Sequence, residues 1–324
     1  MSKQVIFFGA DPQSVRDIDK QAIEKLGANA GYEVIITGEG ERFNEVVDRV
    51  VIASGTVPRE RLADAPALQW FQQFGTGSEW LIPMTALRQN DLVITNVSDN
   101  HYNSLAEHIL ALIFALTRQL HHAVRAQADH AWFNPNWNAL PELRGMVLLL
   151  AGVGSVGRRV AEMAAVFGIV TIGLRRNPNK GAEHIDRCVS PDQLLAVLPE
   201  ADIVANSLPL TPDTEHFFNA DAFSAMKKSA IFVNVGRGRT VDQAALIAAL
   251  QNGELGAAGL DVFAKEPLPQ DSPLWDMDNV ILTGHYAGGS ATLRQRFIDV
   301  FVDNLKRFLH GEPLRNIIDK EHCY

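Results

Sequence analysis

One run of residues in this chain has the composition of a phosphate cradle. Gly152-Val153-Gly154-Ser155-Val156-Gly157 follows directly on the apolar run Met146–Ala151 and leads into a segment carrying Val160, Ala161 and Ala164 at helical spacing. In a strand–turn–helix setting the three glycines permit a tight turn, close approach of backbone to a pyrophosphate, and close helix–strand packing. The helix N-terminus adds free N–H groups and the positive end of a dipole. Glycines in this pattern also make ordinary turns, so the apolar strand before and the helix after carry the reading. Gly152, Gly154, Ser155, Val156 and Gly157 are therefore candidate contacts of a dinucleotide. The next apolar run, Val170–Leu174, ends in Arg175-Arg176, and no Asp or Glu occurs from Met163 to Ala182. A carboxylate at that strand end would accept from a ribose 2′-hydroxyl, whereas two guanidinium groups suit a 2′-phosphate. NADP rather than NAD is the expected cofactor; the plainer alternative is a solvated basic loop.

Three further polar groups stand at expected strand ends, where open α/β sheets collect ligands. Arg237 lies in Asn234-Val235-Gly236-Arg237-Gly238, Glu266 in Asp261-Val262-Phe263-Ala264-Lys265-Glu266-Pro267, and His285 in Thr283-Gly284-His285-Tyr286-Ala287-Gly288-Gly289. Singly, each has an ordinary explanation: a surface arginine, a glutamate opening a turn, a structural histidine.

The elements that must position these groups follow from pattern and composition. A chain of 324 residues with 47% apolar composition is long enough for about two domains with ordinary cores. Its net charge of −9 lacks the basic surplus of a nucleic-acid binder. Cys188 and Cys323 stand far apart, which argues against a disulfide framework or a thiolate metal site and suits a reducing compartment, so cytoplasm is expected and no metal. The most apolar stretch, Ile109–Leu116, is far short of the roughly 20 residues that span a bilayer. Val5–Phe8, Val34–Thr37, Val50–Ala53, Leu68–Phe71 and Val93–Asn96 read as strands of a first doubly wound unit. A long helix is expected over Ser104–Ala126, and the Trp132–Trp137 segment then breaks the pattern. A second series follows, with strands at Met146–Ala151, Val170–Leu174, Ile203–Ser207, Ile231–Asn234, Ala258–Val262 and Val280–Thr283 and a helix over Arg158–Phe167. A last helix runs over Thr292–His310. Alternation of this kind makes the class α/β with parallel sheets.

From about Gly75 to Gly289 these segments, with Ser207-Leu208-Pro209-Leu210-Thr211-Pro212 and Asn103-Ser104-Leu105-Ala106-Glu107-His108, resemble the D-isomer-specific 2-hydroxyacid dehydrogenase family. The resemblance implies two Rossmann-like, doubly wound parallel-sheet domains with the active site in the cleft between them. A dinucleotide-binding domain, 100–286, is inserted into a flavodoxin-like substrate domain made of 1–99 and 287–324, to which the last helix returns. It casts Arg237 as the substrate anchor, His285 as the acid/base and Glu266 as the partner of His285. The chemistry agrees: a guanidinium holds a carboxylate and polarises the adjacent carbonyl, hydride arriving at C2 leaves an alkoxide, and an imidazolium stabilised by a carboxylate protonates it.

The same resemblance assigns Asp261 to the nicotinamide carboxamide and lines the cofactor path with Leu208, Pro209, Val235 and Gly236. It makes Phe74-Gly75-Thr76-Gly77-Ser78 a substrate loop in which the N–H groups of Thr76 and Gly77 bind a carboxylate, with Ser54 a weaker candidate. The Trp132–Trp137 segment falls where family members build a homodimer interface. Arg175 replaces the family's commoner acid, Gly152 follows Ala151 rather than Ile or Leu, and Glu79 and Trp80 leave side-chain specificity open. The implied activity is NADPH-dependent reduction of a 2-oxo acid, glyoxylate and hydroxypyruvate among them, to a D-2-hydroxy acid. The alternatives are a catalytically silent cofactor-sensing corepressor, which an intact Arg237–Glu266–His285 set disfavours, and an NAD-dependent phosphoglycerate dehydrogenase, which Arg175-Arg176 and the chain's end at Tyr324 disfavour.

Overall fold

Strands rich in Val, Ile and Phe that carry no polar face must be covered by helices on both sides. The computed structural model, which describes residues 3–98 and 102–323, meets that requirement with two parallel sheets. The chain divides into two units, 1–100 with 290–324 and the continuous stretch 101–289.

In the first unit the elements run β1 (Val5–Gly9), α1 (Asp17–Asn29), β2 (Glu33–Thr37), α2 (Phe43–Val46), β3 (Val50–Gly55), β4 (Trp70–Gln72), α3 (Thr85–Gln89) and β5 (Val93–Thr95). The sheet order is β2-β1-β3-β4-β5, every pair parallel, which is the flavodoxin-like winding. Phe7, Phe43, Phe71 and Leu81 fill one face.

In the second unit α4 (Tyr102–Thr117) and α5 (Leu120–Ala128) precede β6 (Val147–Ala151), α6 (Ser155–Val166), β7 (Val170–Leu174), β8 (Arg187–Val189) and α7 (Leu194–Val197). Then come β9 (Ile203–Asn206), α8 (Ala220–Ala225), β10 (Ile231–Asn234), α9 (Gln243–Gln251), β11 (Ala257–Leu260) and β12 (Val280–Leu282). The order β12-β11-β10-β9-β6-β7-β8, again all parallel, reverses direction between β6 and β9. Ligands of open sheets sit at such a switch point, and the glycine turn leaves β6 there. The chain then returns to the first unit as α10 (Leu293–His310), whose Phe301 and Leu305 close the second face of that sheet over Ile6, Phe8, Ile52 and Trp70. Trp70 stacks on Phe301 with centroids 5.4 Å apart and donates from Nε1 to Thr95 Oγ1 at 2.9 Å, so its polar tip is satisfied while its rings are buried.

Two features depart from the sequence expectation. The single helix expected over Ser104–Ala126 is broken at Gln119, which takes a left-handed φ of +54°. Arg125 on α5 donates to the carbonyls of Asp278 (2.8 Å) and Val280 (3.0 Å), an anchor that a straight continuation of α4 would not provide. The edge strand β8 was not anticipated: its three residues include exposed Arg187, too short and too polar for a pattern to register.

Candidate active site

The three glycines after β6 each meet a different steric demand. Gly152 has φ +103°, and a Cβ there would lie 2.9 Å from Ser207 Oγ. At Gly157 a Cβ would stand 2.1 Å from the Gly152 carbonyl, so this position needs glycine for the helix to pack on the turn. Gly154 is the opposite case: nothing lies within 4 Å of the Cβ it lacks. That open space fronts the first turn of α6, whose N-cap, Gly154 itself, supplies no side-chain hydrogen bond. The amides of Ser155, Val156 and Gly157 therefore face an opening that a pyrophosphate fits and a side chain would fill.

At the end of β7, Arg175 is half-buried, donates its backbone N–H to Val189 O at 3.0 Å, and leans its guanidinium onto the Gly181 carbonyl. Arg176 is exposed and pairs with Asp213 at 3.3 Å. The carboxylate that pairs at the strand end is thus Asp213, from a later loop, and the two guanidinium groups would fit a phosphate there.

The Arg237 turn is built on buried amides that sequence reasoning overlooked. Asn206 and Asn234 end β9 and β10 and face each other in register, and with Thr240 they are at most 1% exposed. Asn206 Nδ2 donates to Asn234 Oδ1 (3.1 Å) and Thr240 Oγ1 (2.7 Å), and Thr240 Oγ1 donates to the Arg237 carbonyl at 2.6 Å. Asn206 Oδ1 takes the Leu208 N–H and Asn234 Oδ1 takes the Gly236 N–H as well, each at 3.1 Å, so the exits of both strands are held together. Val235 is bonded to Asn206 O and Pro209 O accepts from Thr214 Oγ1. Gly238 permits the turn to lie against the next loop, since a Cβ there would be 1.9 Å from the Phe263 backbone. The readable signal was an asparagine at the same place in two consecutive strands.

His285 and Glu266 meet directly: Nδ1 lies 2.6 Å from Oε2. A carboxylate oxygen can only accept, so Nδ1 is the donor and Nε2 is left for a ligand. The other oxygen, Oε1, accepts the Phe263 N–H at 2.9 Å, which fixes the carboxylate to its own loop. His285 takes a left-handed φ of +56°, an uncommon backbone state outside glycine that surrounding bonds hold. Asp261 supplies them. Its carbonyl accepts the His285 N–H at 2.8 Å, Oδ1 accepts from Tyr286 N (3.1 Å) and Thr283 Oγ1 (2.6 Å), and Oδ2 accepts from Ala287 N (3.0 Å). Asp261 is 1% exposed and its carboxylate is turned into this loop. Beside the pair lies an apolar cavity of about 470 Å³, bounded by Phe263, Leu268, Trp275, Leu282, Glu266 and His285.

In the first unit the carbonyls of the 74–78 loop are bound inward. Gln73 Nε2 donates to Gly75 O (3.2 Å) and Gly77 O (2.9 Å), Asn96 Nδ2 to Thr76 O (3.2 Å), and Trp80 Nε1 orients Gln73 from 2.7 Å. Ser78 Oγ donates to Cys323 O at 2.8 Å, and Arg59 lies over the Trp80 ring at 4.5 Å. The N–H groups of Thr76 and Gly77 have no hydrogen-bond partner among the described residues, the polarity an anion requires. Ser54 is a correction: it is 0% exposed, and the two-residue period of β3 puts it with Ile52 on the face covered by α10.

Among the described residues no cluster of three or more His, Cys, Asp or Glu is arranged to hold a metal, and no helix is long and apolar enough to cross a membrane.

Residues 110–287 match the family model described as D-isomer specific 2-hydroxyacid dehydrogenase, NAD binding domain. The chain is 35% identical over 273 residues to glyoxylate/hydroxypyruvate reductase B of Salmonella paratyphi C, covering 83% of each protein. Among solved structures it resembles a D-isomer specific 2-hydroxyacid dehydrogenase from Xanthobacter autotrophicus Py2 in complex with NADPH and MES, at 30% identity and a TM-score of 0.82 over 100% of both chains. An NADPH-dependent glyoxylate/hydroxypyruvate reductase from Sinorhizobium meliloti, in complex with NADP and sulfate, matches at 27% identity and a TM-score of 0.81, again over 100% of both chains.

Proposed function

Since the chain belongs to the D-isomer-specific 2-hydroxyacid dehydrogenase family, we propose that it reduces a 2-oxo acid to a D-2-hydroxy acid at the expense of NADPH. The observation that carries this reading is the 2.6 Å contact between His285 Nδ1 and Glu266 Oε2. It supports an imidazolium with Nε2 free to protonate a developing alkoxide. The named relatives suggest glyoxylate and hydroxypyruvate as substrates.

Bound NADPH would supply the hydride to C2 of the oxo acid. Gly152, Gly154 and Gly157 with the amides of Ser155 and Val156 would hold its pyrophosphate, and Arg175 and Arg176 its 2′-phosphate. Leu208, Pro209, Val235 and Gly236 line its path, and the loop clamped by Asp261 borders it. Arg237 binds the substrate carboxylate and draws electron density from the neighbouring carbonyl. His285 gives the proton from Nε2 to the new hydroxyl during reduction and takes it back during oxidation, while Glu266 stabilises the charged ring. The N–H groups of Thr76 and Gly77 suit the same class of anion.

A homodimer and a cytoplasmic location belong to the same reading. Leu120, Val124, Trp132 and Trp137 expose large apolar side chains between residues 120 and 137, with Trp132 94% exposed, and a second copy of the chain would cover them.

The decisive experiment follows loss of NADPH absorbance with glyoxylate, hydroxypyruvate and larger 2-oxo acids, alongside NADH and the Arg175→Asp variant. Turnover with NADPH, weak turnover with NADH and erosion of that preference in R175D are expected. Cofactor binding without oxidation on every oxo acid would favour the silent sensor, and equal efficiency with NADH would remove the role given to the arginine pair.

A further inference from the structure

The bonds that hold the left-handed backbone at His285 do not end at Asp261. They continue through Thr283 to a histidine on a separate element. Gly259 on β11 lacks the side chain that would push α4 away, and its missing Cβ would lie 3.1 Å from Leu112 Cβ. Leu112 thus beds on the sheet, and His108, four residues earlier on the same helix face, is carried to the Thr283 hydroxyl, with Nε2 and Oγ1 3.0 Å apart. The Tyr286 ring meets the His108 ring edge to face at 5.5 Å.

Proton placement along this chain has one solution. A threonine hydroxyl has a single hydrogen to give. At Thr283 it goes to Asp261 Oδ1, which is 2.6 Å away and can only accept. Thr283 Oγ1 must therefore accept from His108, so the hydrogen sits on His108 Nε2. Burial holds the His108 pKa below the ordinary histidine value, against a smaller opposing pull from Asp261, which suits a neutral donor. Hydrogen bonding then runs in one direction, from His108 to Thr283 to Asp261. Asp261 in turn receives the N–H groups of Tyr286 and Ala287 at 3.1 and 3.0 Å, the two residues that follow the acid/base.

We propose that His108 is a positioning residue for the reaction: through Thr283 it orients the Asp261 carboxylate, and through Asp261 it fixes the backbone that presents His285. The inference rests on the reading of His285 as acid/base. His108 does not touch the reacting atoms. Its removal leaves the Thr283 hydroxyl free to rotate away from Asp261, and the loop loses the directed carboxylate that holds Tyr286 and Ala287, the two residues after His285.

The test compares His108→Leu, which keeps volume and removes the donor, with His108→Gln, whose Nε2 amide can reoccupy the donor position. His108→Leu is expected to lower kcat about tenfold, the order of one hydrogen bond, with KM for NADPH and for the oxo acid nearly unchanged. Hydrogen exchange at the Tyr286 and Ala287 amides should quicken in the same variant. His108→Gln should restore both. Thr283→Val, which removes only the hydroxyl, should reproduce the loss and serves if His108→Leu does not fold. Wild-type kcat and exchange in His108→Leu or Thr283→Val, or a His108→Gln as impaired as the leucine variant, would overturn the proposal. The exchange measurement needs no turnover, so it still decides the loop-holding role if the wild-type protein reduces no 2-oxo acid and the catalytic reading itself fails.

Discussion

Glu266 grips its own loop with one carboxylate oxygen, 2.9 Å from Phe263 N, and His285 with the other, 2.6 Å from Nδ1. The carboxylate is thus held in place independently of the imidazole it serves. His285→Ala should lose turnover by about the 10²–10⁴-fold that positioned acid/base groups contribute, with NADPH affinity nearly intact. Glu266→Gln keeps the shape and removes the charge that stabilises the imidazolium, so kcat should fall by a smaller factor than in the alanine variant. Steady-state kinetics with a cofactor titration separates these effects, and wild-type turnover in His285→Ala would refute the assignment.

In the proposed role Arg237 would act as a planar, two-pronged donor as well as a charge. Arg237→Ala should raise KM for the oxo acid by about 10–100-fold, the range of a charge-assisted hydrogen bond of about 1.5–3 kcal/mol. Arg237→Lys should recover only part of that loss. Asn234→Ala, which removes the buried amide joining β9 to β10, should lower thermal stability and also raise the same KM, because Asn234 holds the Gly236 N–H immediately before the arginine. A lysine variant indistinguishable from wild type in KM would show that no two-pronged contact is made.

The glycine turn offers a separation of folding from binding. Gly154→Ala should melt like the wild type, since a Cβ there meets nothing within 4 Å, yet bind NADPH at least about tenfold more weakly because the methyl enters the space assigned to phosphate. Gly157→Ala should do the reverse and destabilise the fold first, its Cβ falling 2.1 Å from the Gly152 carbonyl. Thermal melts with and without NADPH read both quantities, and unchanged NADPH affinity in Gly154→Ala would place the pyrophosphate elsewhere.

These contrasts show what the sequence made legible. Apolar strands such as Val5–Gly9 and the glycine turn after β6 announce themselves because their demands are local: burial on both faces, or a turn only glycine permits. Groups whose roles depend on distant partners were harder to read. Asn206 and Asn234 look like ordinary strand ends until the β9–β10 register brings them together. The Asp261 carboxylate is engaged by residues about 25 positions later, which no local pattern announces. The break between α4 and α5 has no glycine or proline to mark it, because the anchor is Arg125 reaching across to the 277–280 segment. Ser54 was partly legible: its alternation with Ile52 predicts an inward face.

Stability should also vary with pH in a window set by two half-buried histidines. Burial lowers the pKa of His108, opposed by Asp261, and of His121, opposed chiefly by a hydrogen bond to Ala115 O. Below the unfolded value of 6.5 the unfolded chain therefore binds more protons than the folded one. The sign follows: stability is full above that value, falls as pH drops from it toward the lower folded values, and levels off beneath them. Carboxylates such as Asp19, lowered by Arg16, act in the same direction but only near and below their ordinary value of 3.8, so the two windows stay apart. Urea midpoints should fall between pH 7.5 and pH 5. His121→Asn, whose Nδ2 can replace Nδ1 as donor to Ala115 O without titrating, should flatten part of that fall. Its partner in the comparison, His108→Gln, should flatten another part, and the double variant should be the least pH-dependent of all. A wild-type midpoint that does not move across this range would mean that both imidazoles accept protons as readily in the folded chain as in the unfolded one.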